Sequence, residues 1–539
     1  MLVFVRFTRA VMLFTLIVVI SLTVAAQADD YTLTLMHTND TRANHLPNAD
    51  DIGGAARQAT VVKQIRDEVE NSLLLDAGGR FTGTLFHRVY AGQDNVQVMN
   101  AIGYDAMTVG NPEFDNGDAI LAQFIDGLTF PVLAANIDSS RAAMLDDRFL
   151  PSTILEAGGE SIGLIGITTD TTPRFSSPSR DLIFASNYTA IIQEQADALT
   201  ADGVNKIILL SYLGYDLDLE LAPTLTGVDV IVGGNTRTLL SNTQADAAGA
   251  YPTAAEGADG APLLIVQSGG GARGELRFMG RLDLTFDADG MIDTYEGDTI
   301  LLDSSITPDA DVAALIDDLN EQVEIERERT IRATTGEAVE VDSTWTVDEC
   351  RLTECALGNL VADALRWATG AEIALMNGGG LREGLEAGTL LRGDVLELLP
   401  FTNRLTSFSV TGADLRLALE NGVSRVGESS GTGRFPQVSG LRYTYDFSLP
   451  ALDRVTSIEV LADDGETYEP LDPERRYLIA TNDFIRKGGD GYQVFADRGI
   501  DPVDTVIFFD DVLIDYAREH APLDPALEGR ITALNLPAS

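Results

Sequence analysis

The sequence predicts a mixed α/β protein of two domains joined by a helix. Three observations carry this. The chain has 539 residues, too many for one ordinary domain. Short apolar runs alternate with helical segments and end in polar loops. One charged helical stretch, from Pro308 to about Glu328, separates two such series. A hydrophobic content of 45% marks the chain as globular rather than disordered.

The chain opens with Arg6 and Arg9, an apolar stretch from Ala10 to Ala26, and Ala26-Gln27-Ala28 before Asp29. That is the pattern of a signal peptide over residues 1–28. The alternative is an uncleaved anchor, although about 17 apolar residues reach only the lower edge of a membrane span. No cysteine follows the apolar stretch, which argues against a lipoprotein. The expectation is a secreted, periplasmic or cell-surface protein with no stable membrane span once the leader is removed.

From Tyr31 the run Leu33 to Asp40 reads as a strand ending in a polar turn, and Ala55 to Val69 as a helix after Gly53-Gly54. Leu73 to Gly79 reads as a second buried strand and its loop. Further strands are expected at Ala106–Val109, Phe130–Ala134, Ile162–Gly166, Ile207–Leu210, Val228–Val232 and Leu263–Val266. The first domain is expected over residues 29–305, the connecting helix within 306–335, and the second domain over 336–539. In the second domain Gly358–Thr369 reads as a helix, and Leu405–Val410 and Arg476–Ala480 as strands.

The formal net charge is −46. Nucleic-acid binding through phosphate neutralisation is therefore not expected, and any phosphate site must be locally positive. The two cysteines, Cys350 and Cys355, are close enough to close a short loop in an oxidising compartment, and a disulfide is predicted that holds Arg351 in one direction. Half of a metal site is the alternative, but neither a further cysteine nor a nearby histidine supports it.

Met376-Asn377-Gly378-Gly379-Gly380-Leu381-Arg382 places three bare glycines between an amide and a planar, permanently charged fork. Such a backbone permits close approach, and its flanks suit a hydroxyl, carboxylate or phosphate; a plain turn is the alternative. Around it stand Cys350-Arg351-Leu352-Thr353-Glu354-Cys355, Leu399-Pro400-Phe401-Thr402-Asn403, Arg434 to Tyr443, and Thr481 to Tyr492 with its Lys487-Gly488-Gly489-Asp490-Gly491 loop. In this order and spacing the set resembles the C-terminal domain of the secreted 5'-nucleotidases, the family of periplasmic UDP-sugar hydrolase and ecto-5'-nucleotidase. The resemblance implies that Phe401 and Phe484 sandwich a nucleobase, that Asp490 accepts from ribose hydroxyls and that Asn403 contacts the base. It also implies that Arg351, Asn377, Gly379 and Arg382 surround ribose and phosphate.

Residues 29 to about 303 resemble the same family's metallophosphatase domain, through His37-Thr38-Asn39-Asp40, Leu74 to Gly78, Gly110 to Asp115 and Asp229 to Thr238. That domain uses two divalent metals to activate water and clamp a phosphoryl group, with a further histidine at the phosphate. Most of its ligands are replaced here. The family's D-x-H is Asp40-Thr41-Arg42, its bridging aspartate falls at Gly79, and its catalytic histidine is Pro112. Three further histidines become Tyr212, Asn235 and Arg237, leaving Asp40 and Asn111 as vestigial metal ligands. His37 reads as a structural histidine, His45 or His87 could swing in as a ligand, and His520 lies far along the chain.

The expectation is therefore no metal cofactor, although Asp40, Asp76, Asn111 and Asn235 could still suit a hard cation. Arg42 and Arg237 could clamp a phosphate without hydrolysing it, or could pair with Asp40 and Asp115. The preferred reading is a nucleotide or nucleoside binder without phosphatase activity. The alternatives are an active 5'-nucleotidase with an unusual metal site, and an interaction or scaffold protein.

Overall fold

A computed structural model describes residues 30–270, 276–401, 403–428, 432–462 and 464–536. The predicted signal peptide lies outside them. No helix among the described residues is long and apolar enough to cross a membrane.

Alternation along the strands builds the first domain. Leu33, Leu35, Leu73 and Leu75 point one way and meet Ile162, Leu164, Ile208 and Leu210 of a second sheet. Met36 and Leu74 point the other way, onto the helix Ala55–Glu68 and its neighbours. The result is a helix, sheet, sheet, helix sandwich, with the helix Tyr188–Ala201 covering the second sheet through Ile192, Ala196 and Leu199.

The first six-stranded sheet runs Ile292–Leu301, Phe278–Phe286, Tyr31–Thr38, Ser72–Asp76, Ala106–Thr108, Val132–Leu133. The second runs Thr253–Glu256, Pro262–Val266, Val230–Gly233, Ile207–Tyr212, Glu160–Thr168, Ser152–Ala157. Strands Tyr31–Thr38, Ser72–Asp76 and Ala106–Thr108 are parallel neighbours, as are Ile207–Tyr212 and Val230–Gly233. Their carboxyl ends therefore release loops side by side, the usual place for a site in such sheets. The strand expected at Phe130–Ala134 shrinks to Val132–Leu133.

The connecting helix forms over Ala310–Arg327, capped by Asp309, whose side chain accepts from the Val312 amide. It is no free spacer. Val312, Ile316, Leu319 and Val323 recur at helical spacing and pack into the first domain's core. Its last residue, Arg327, pairs with Glu397 of the second domain. Chain identity changes straight afterwards, because Ile331 is already core of the second domain and its amide donates to the Leu390 carbonyl. The expected linker of 306–335 thus divides: its helix belongs to the first domain and residues from about 330 to the second.

The second domain pairs a five-stranded sheet, ordered Pro436–Ser439, Ile373–Asn377, Arg476–Asn482, Arg404–Thr411, Ile500–Phe508, with a four-stranded one. Helices Ala356–Thr369 and Phe509–Glu519 bury Leu357, Val361, Leu365, Val512 and Leu513 beside the first of these sheets.

Candidate functional site

The first domain's loops converge as the topology requires, but their own side chains fill the space between them. Tyr212 ends its strand fully buried. Its ring lies so close to four loop glycines that an added Cβ would meet it at 2.4 Å from Gly110, 3.0 Å from Gly78, and 3.1 Å from Gly79 (at the hydroxyl) and Gly234. The Tyr212 hydroxyl donates to Asp40 Oδ1 at 2.9 Å, and Asn39 Nδ2 donates to Asp40 Oδ2 at 2.9 Å. Burial, followed by the Asp40 carboxylate, pushes the Tyr212 phenol well above its ordinary range, so it stays a donor. Burial also raises the Asp40 carboxyl, against the opposing pull of Arg42.

The remaining carboxylates are committed as well. Asp76 accepts from Arg80 at 2.6 Å, from Thr38 Oγ1 at 2.7 Å and from the Gly78 amide at 3.0 Å. Glu113 accepts four backbone amides, those of Gly79, Arg80, Phe81 and Gly110, while burial pushes its carboxyl up to about 7. Asp115 accepts from Thr82 Oγ1 at 2.5 Å and Ser176 Oγ at 2.6 Å. Asn235 spends its amide on the Leu213 carbonyl at 3.4 Å, and Asn111 sits half-buried ahead of the Pro112–Phe114 turn.

This set does not fit the two metals that the resemblance implies. A side chain at Gly79 would meet Asp40 Cα at 2.9 Å from a backbone at φ +84°, so no bridging carboxylate can stand there. Among the described residues no group of three His, Cys, Asp or Glu is placed to hold an ion. Nor does a histidine swing in. His37 is buried beside the Tyr251 hydroxyl at 2.8 Å, and burial lowers it to about 3, as a structural histidine requires. His45 is spent on Asp94 at 2.8 Å and His87 on Asn116 at 2.9 Å.

Arg42 and Arg237 both act electrostatically on Asp40, and Arg42 also on Asp115. Arg42 is half-buried, its Nε without a hydrogen bond among the described residues, and Arg237 is exposed. Asp40, Arg42, Asn235 and Arg237 all hold left-handed backbones, at φ 52°, 52°, 73° and 54°. Side chains other than glycine adopt that region seldom, and such residues cluster at sites.

In the second domain the disulfide between Cys350 and Cys355 is formed, with Cα atoms 5.0 Å apart. Gln437 ties the loop down, donating to the Cys350 and Thr353 carbonyls and accepting from the Cys355 amide. The bare glycine run is partly spent on this packing. A Cβ at Gly378 would meet the Cys350 carbonyl at 2.1 Å, and one at Gly379 would meet Gly433 at 2.7 Å. The close approach expected of a ligand is thus made on the Gly378 side by the protein's own backbone, while Gly379 stays half-buried.

Beside it runs a directed chain of amides. Asn482 Oδ1 caps the turn Asp483–Arg486 by accepting from the Ile485 amide at 2.7 Å. Its Nδ2 therefore donates to Asn377 Oδ1 at 3.0 Å, and Asn377 Nδ2 donates to Asp490 Oδ2 at 2.8 Å. Asp490 Oδ1 carries no hydrogen bond among the described residues. Burial raises the Asp490 carboxyl, opposed by Asn377, Arg434 and Arg351.

Arg351, Asn377 and Asp490 are thus brought together. Arg382 lies over the Phe401 ring at 5.9 Å, and Phe401 shares a shallow recess with Asn403, Met376 and Gly380. Phe484 packs over Gly489 and meets Phe175 of the first domain, ring centroids 6.2 Å apart. Phe484 thus sits on the seam between domains. There Arg174 donates to the Lys487 and Gly488 carbonyls and to Gln493, Lys487 Nζ donates to the Ser176 carbonyl at 2.8 Å, and Arg404 donates to the Asp115 carbonyl at 3.2 Å.

Sequence reasoning missed Asn482, Glu113, Arg434 and Asn421, whose amide donates to the Asp490 carbonyl at 3.1 Å and accepts from Arg434 at 3.0 Å. Asn482 and Arg434 stand inside the motifs quoted for the resemblance, and the cap position of Asn482 before a helical turn was the readable signal.

Residues 331–497 match the family model described as 5'-nucleotidase, C-terminal domain. The chain is 35% identical to 5'-nucleotidase of Rattus norvegicus, over 94% of this chain and 91% of that protein. It is 35% identical to snake venom 5'-nucleotidase of Naja atra, over 93% and 98%. Among solved structures it is similar to a 5'-nucleotidase precursor from Thermus thermophilus, with 38% identity, a TM-score of 0.73, and coverage of 94% of this chain and 100% of that one.

Proposed function

The chain belongs to the 5'-nucleotidase family, and from that premise we propose that it binds nucleotides or nucleosides on its second domain without hydrolysing them. Tyr212 carries the reading. Its ring fills the space between the loops that the resemblance makes a metal site, and its hydroxyl takes up one oxygen of Asp40, the ligand that the resemblance leaves in place. Without those metals no nucleophile is generated by this mechanism. The second domain keeps what a nucleoside needs: flat rings at Phe401 and Phe484, and an acceptor at Asp490 oriented through Asn377. Secretion through the leader at residues 1–28 belongs to the same proposal.

Arg42 and Arg237 serve as a phosphate clamp in this reading, a bound phosphate taking Arg42 from Asp40 and Asp115. Replacing both by alanine weakens AMP binding about tenfold and leaves adenosine binding unchanged. Equal effects on both ligands would reduce the arginines to partners of the carboxylates.

A second reading, an active 5'-nucleotidase with an unusual metal site, is favoured by similarity that runs along almost the whole of relatives bearing that name. Calorimetry of AMP and adenosine, in EDTA and then in manganese, with released phosphate assayed in parallel, separates the two. Binding in EDTA without phosphate release supports the binder; manganese-dependent release establishes the hydrolase. Failure to bind either ligand would leave an interaction protein.

A further inference from the structure

A cavity of about 380 Å³ opens on the second domain where the helices Ala356–Thr369 and Phe509–Glu519 both end, and it shares no residue with the Phe401 and Asp490 clusters. Small-molecule sites span about 300–1,000 Å³. Its wall is aromatic. Tyr516 and His520 stack at 4.0 Å, and Trp367 stands edge-to-face against both at 5.8 Å, with 43% of its surface exposed. The Tyr516–His520 stack leaves no slot for a ring between its members, so the stacking surface left on this wall is that of the exposed Trp367.

The polar groups around that face are of both kinds. His520 Nδ1 lies 2.9 Å from the Tyr516 carbonyl, which can only accept, so the neutral ring carries its proton there and offers Nε2 as an acceptor. Arg366 spends Nε on the Glu372 carbonyl, and its two terminal nitrogens make no hydrogen bond among the described residues. Asp363 is matched by Arg530, which donates to both its oxygens at 2.9 Å, and it accepts from Ser439 at 2.6 Å. Arg530 also pairs with Glu528 at 2.8 Å, so two carboxylates stand against the guanidiniums of Arg530 and Arg366 and the wall carries no net charge for an ion to seek. A neutral ring with an apolar face and hydroxyls that both donate and accept satisfies indole, guanidinium and imidazole together.

From this we infer a second binding site for a carbohydrate, with a sugar ring stacked on Trp367 and hydroxyls bound by Arg366 and His520. The test uses the mature chain. Maltose, cellobiose and N,N'-diacetylchitobiose are titrated at millimolar concentrations, first by fluorescence in Trp345→Phe, which leaves Trp367 the chain's one remaining tryptophan, then by calorimetry in Trp367→Ala and His520→Ala. At least one sugar should saturate, its affinity should fall about tenfold or more in Trp367→Ala and several-fold in His520→Ala, and adenosine affinity should stay the same. The inference is overturned if no sugar saturates, if Trp367→Ala binds sugar as well as the parent does, or if adenosine displaces the sugar.

Discussion

The two domains present loops from the same kind of sheet end, yet one has closed over its site and the other has kept it open. In the first domain Tyr212 spans four glycines, and Asp40, Asp76, Glu113 and Asp115 each accept from neighbours inside the protein. In the second, Asp490 is held through one oxygen while the other carries no bond among the described residues, and Phe401 remains 44% exposed. The contrast shows that loops converging on one point need not leave a vacant site. Buried donors and acceptors must find partners, so polar side chains packed together at such a point bond to one another.

The strongest way to break the comparison is Tyr212→Ala. Truncating a fully buried aromatic should cost about 3–5 kcal/mol, read as a lowered denaturation midpoint. Phosphate release should stay absent in manganese; its appearance would mean that the ring alone blocks a competent site.

Asp490→Ala tests the open side. It removes the proposed ribose acceptor and strands the buried Asn377 amide, so adenosine affinity should fall on the order of 30–100-fold, about 2–3 kcal/mol, and the stability of the free protein by about 1–3 kcal/mol. An unchanged affinity would place the nucleoside elsewhere.

A smaller effect sharpens the difference through pH. Asp218 lies behind the closed site, accepting from Ser211 at 2.5 Å, and burial pushes it up to about 8. Because its folded value exceeds its unfolded one, the stability it contributes is full below the ordinary carboxylate range and is lost as pH rises through about 8. The slope in that window is up to about 1.4 kcal/mol per pH unit. Asp218→Asn should flatten the stability profile between pH 5 and 8, while adenosine affinity follows its parent's course.

Much of this was legible in the residues. The apolar runs at Leu33, Leu73 and Ile207 became the parallel strands whose ends meet, and Cys350 and Cys355 paired because five residues of chain bring them within bonding range. Periodicity marked the connecting helix but not its allegiance, because the stripe Val312, Ile316, Leu319, Val323 names no partner. The packing around Tyr212 was half readable. The resemblance marks tyrosine where it implies histidine, but the space the ring fills depends on Gly78, Gly110 and Gly234 arriving from three other loops. The same long-range geometry hid the Phe175 contact with Phe484 and the packing of Gly378 against Cys350.

Lysine is so scarce here that the domain seam carries its own chemical label. The chain has three lysines. Lys63 has a 55% exposed side chain, Lys206 is buried beneath Glu160 at 4%, and Lys487 is 16% exposed where it reaches across to the Ser176 carbonyl. An amine-selective acylating reagent should therefore mark Lys63 first and Lys206 last. The rate at Lys487, read by mass spectrometry, becomes a clock for how often the two domains part, and for whether a bound nucleotide slows or quickens that parting.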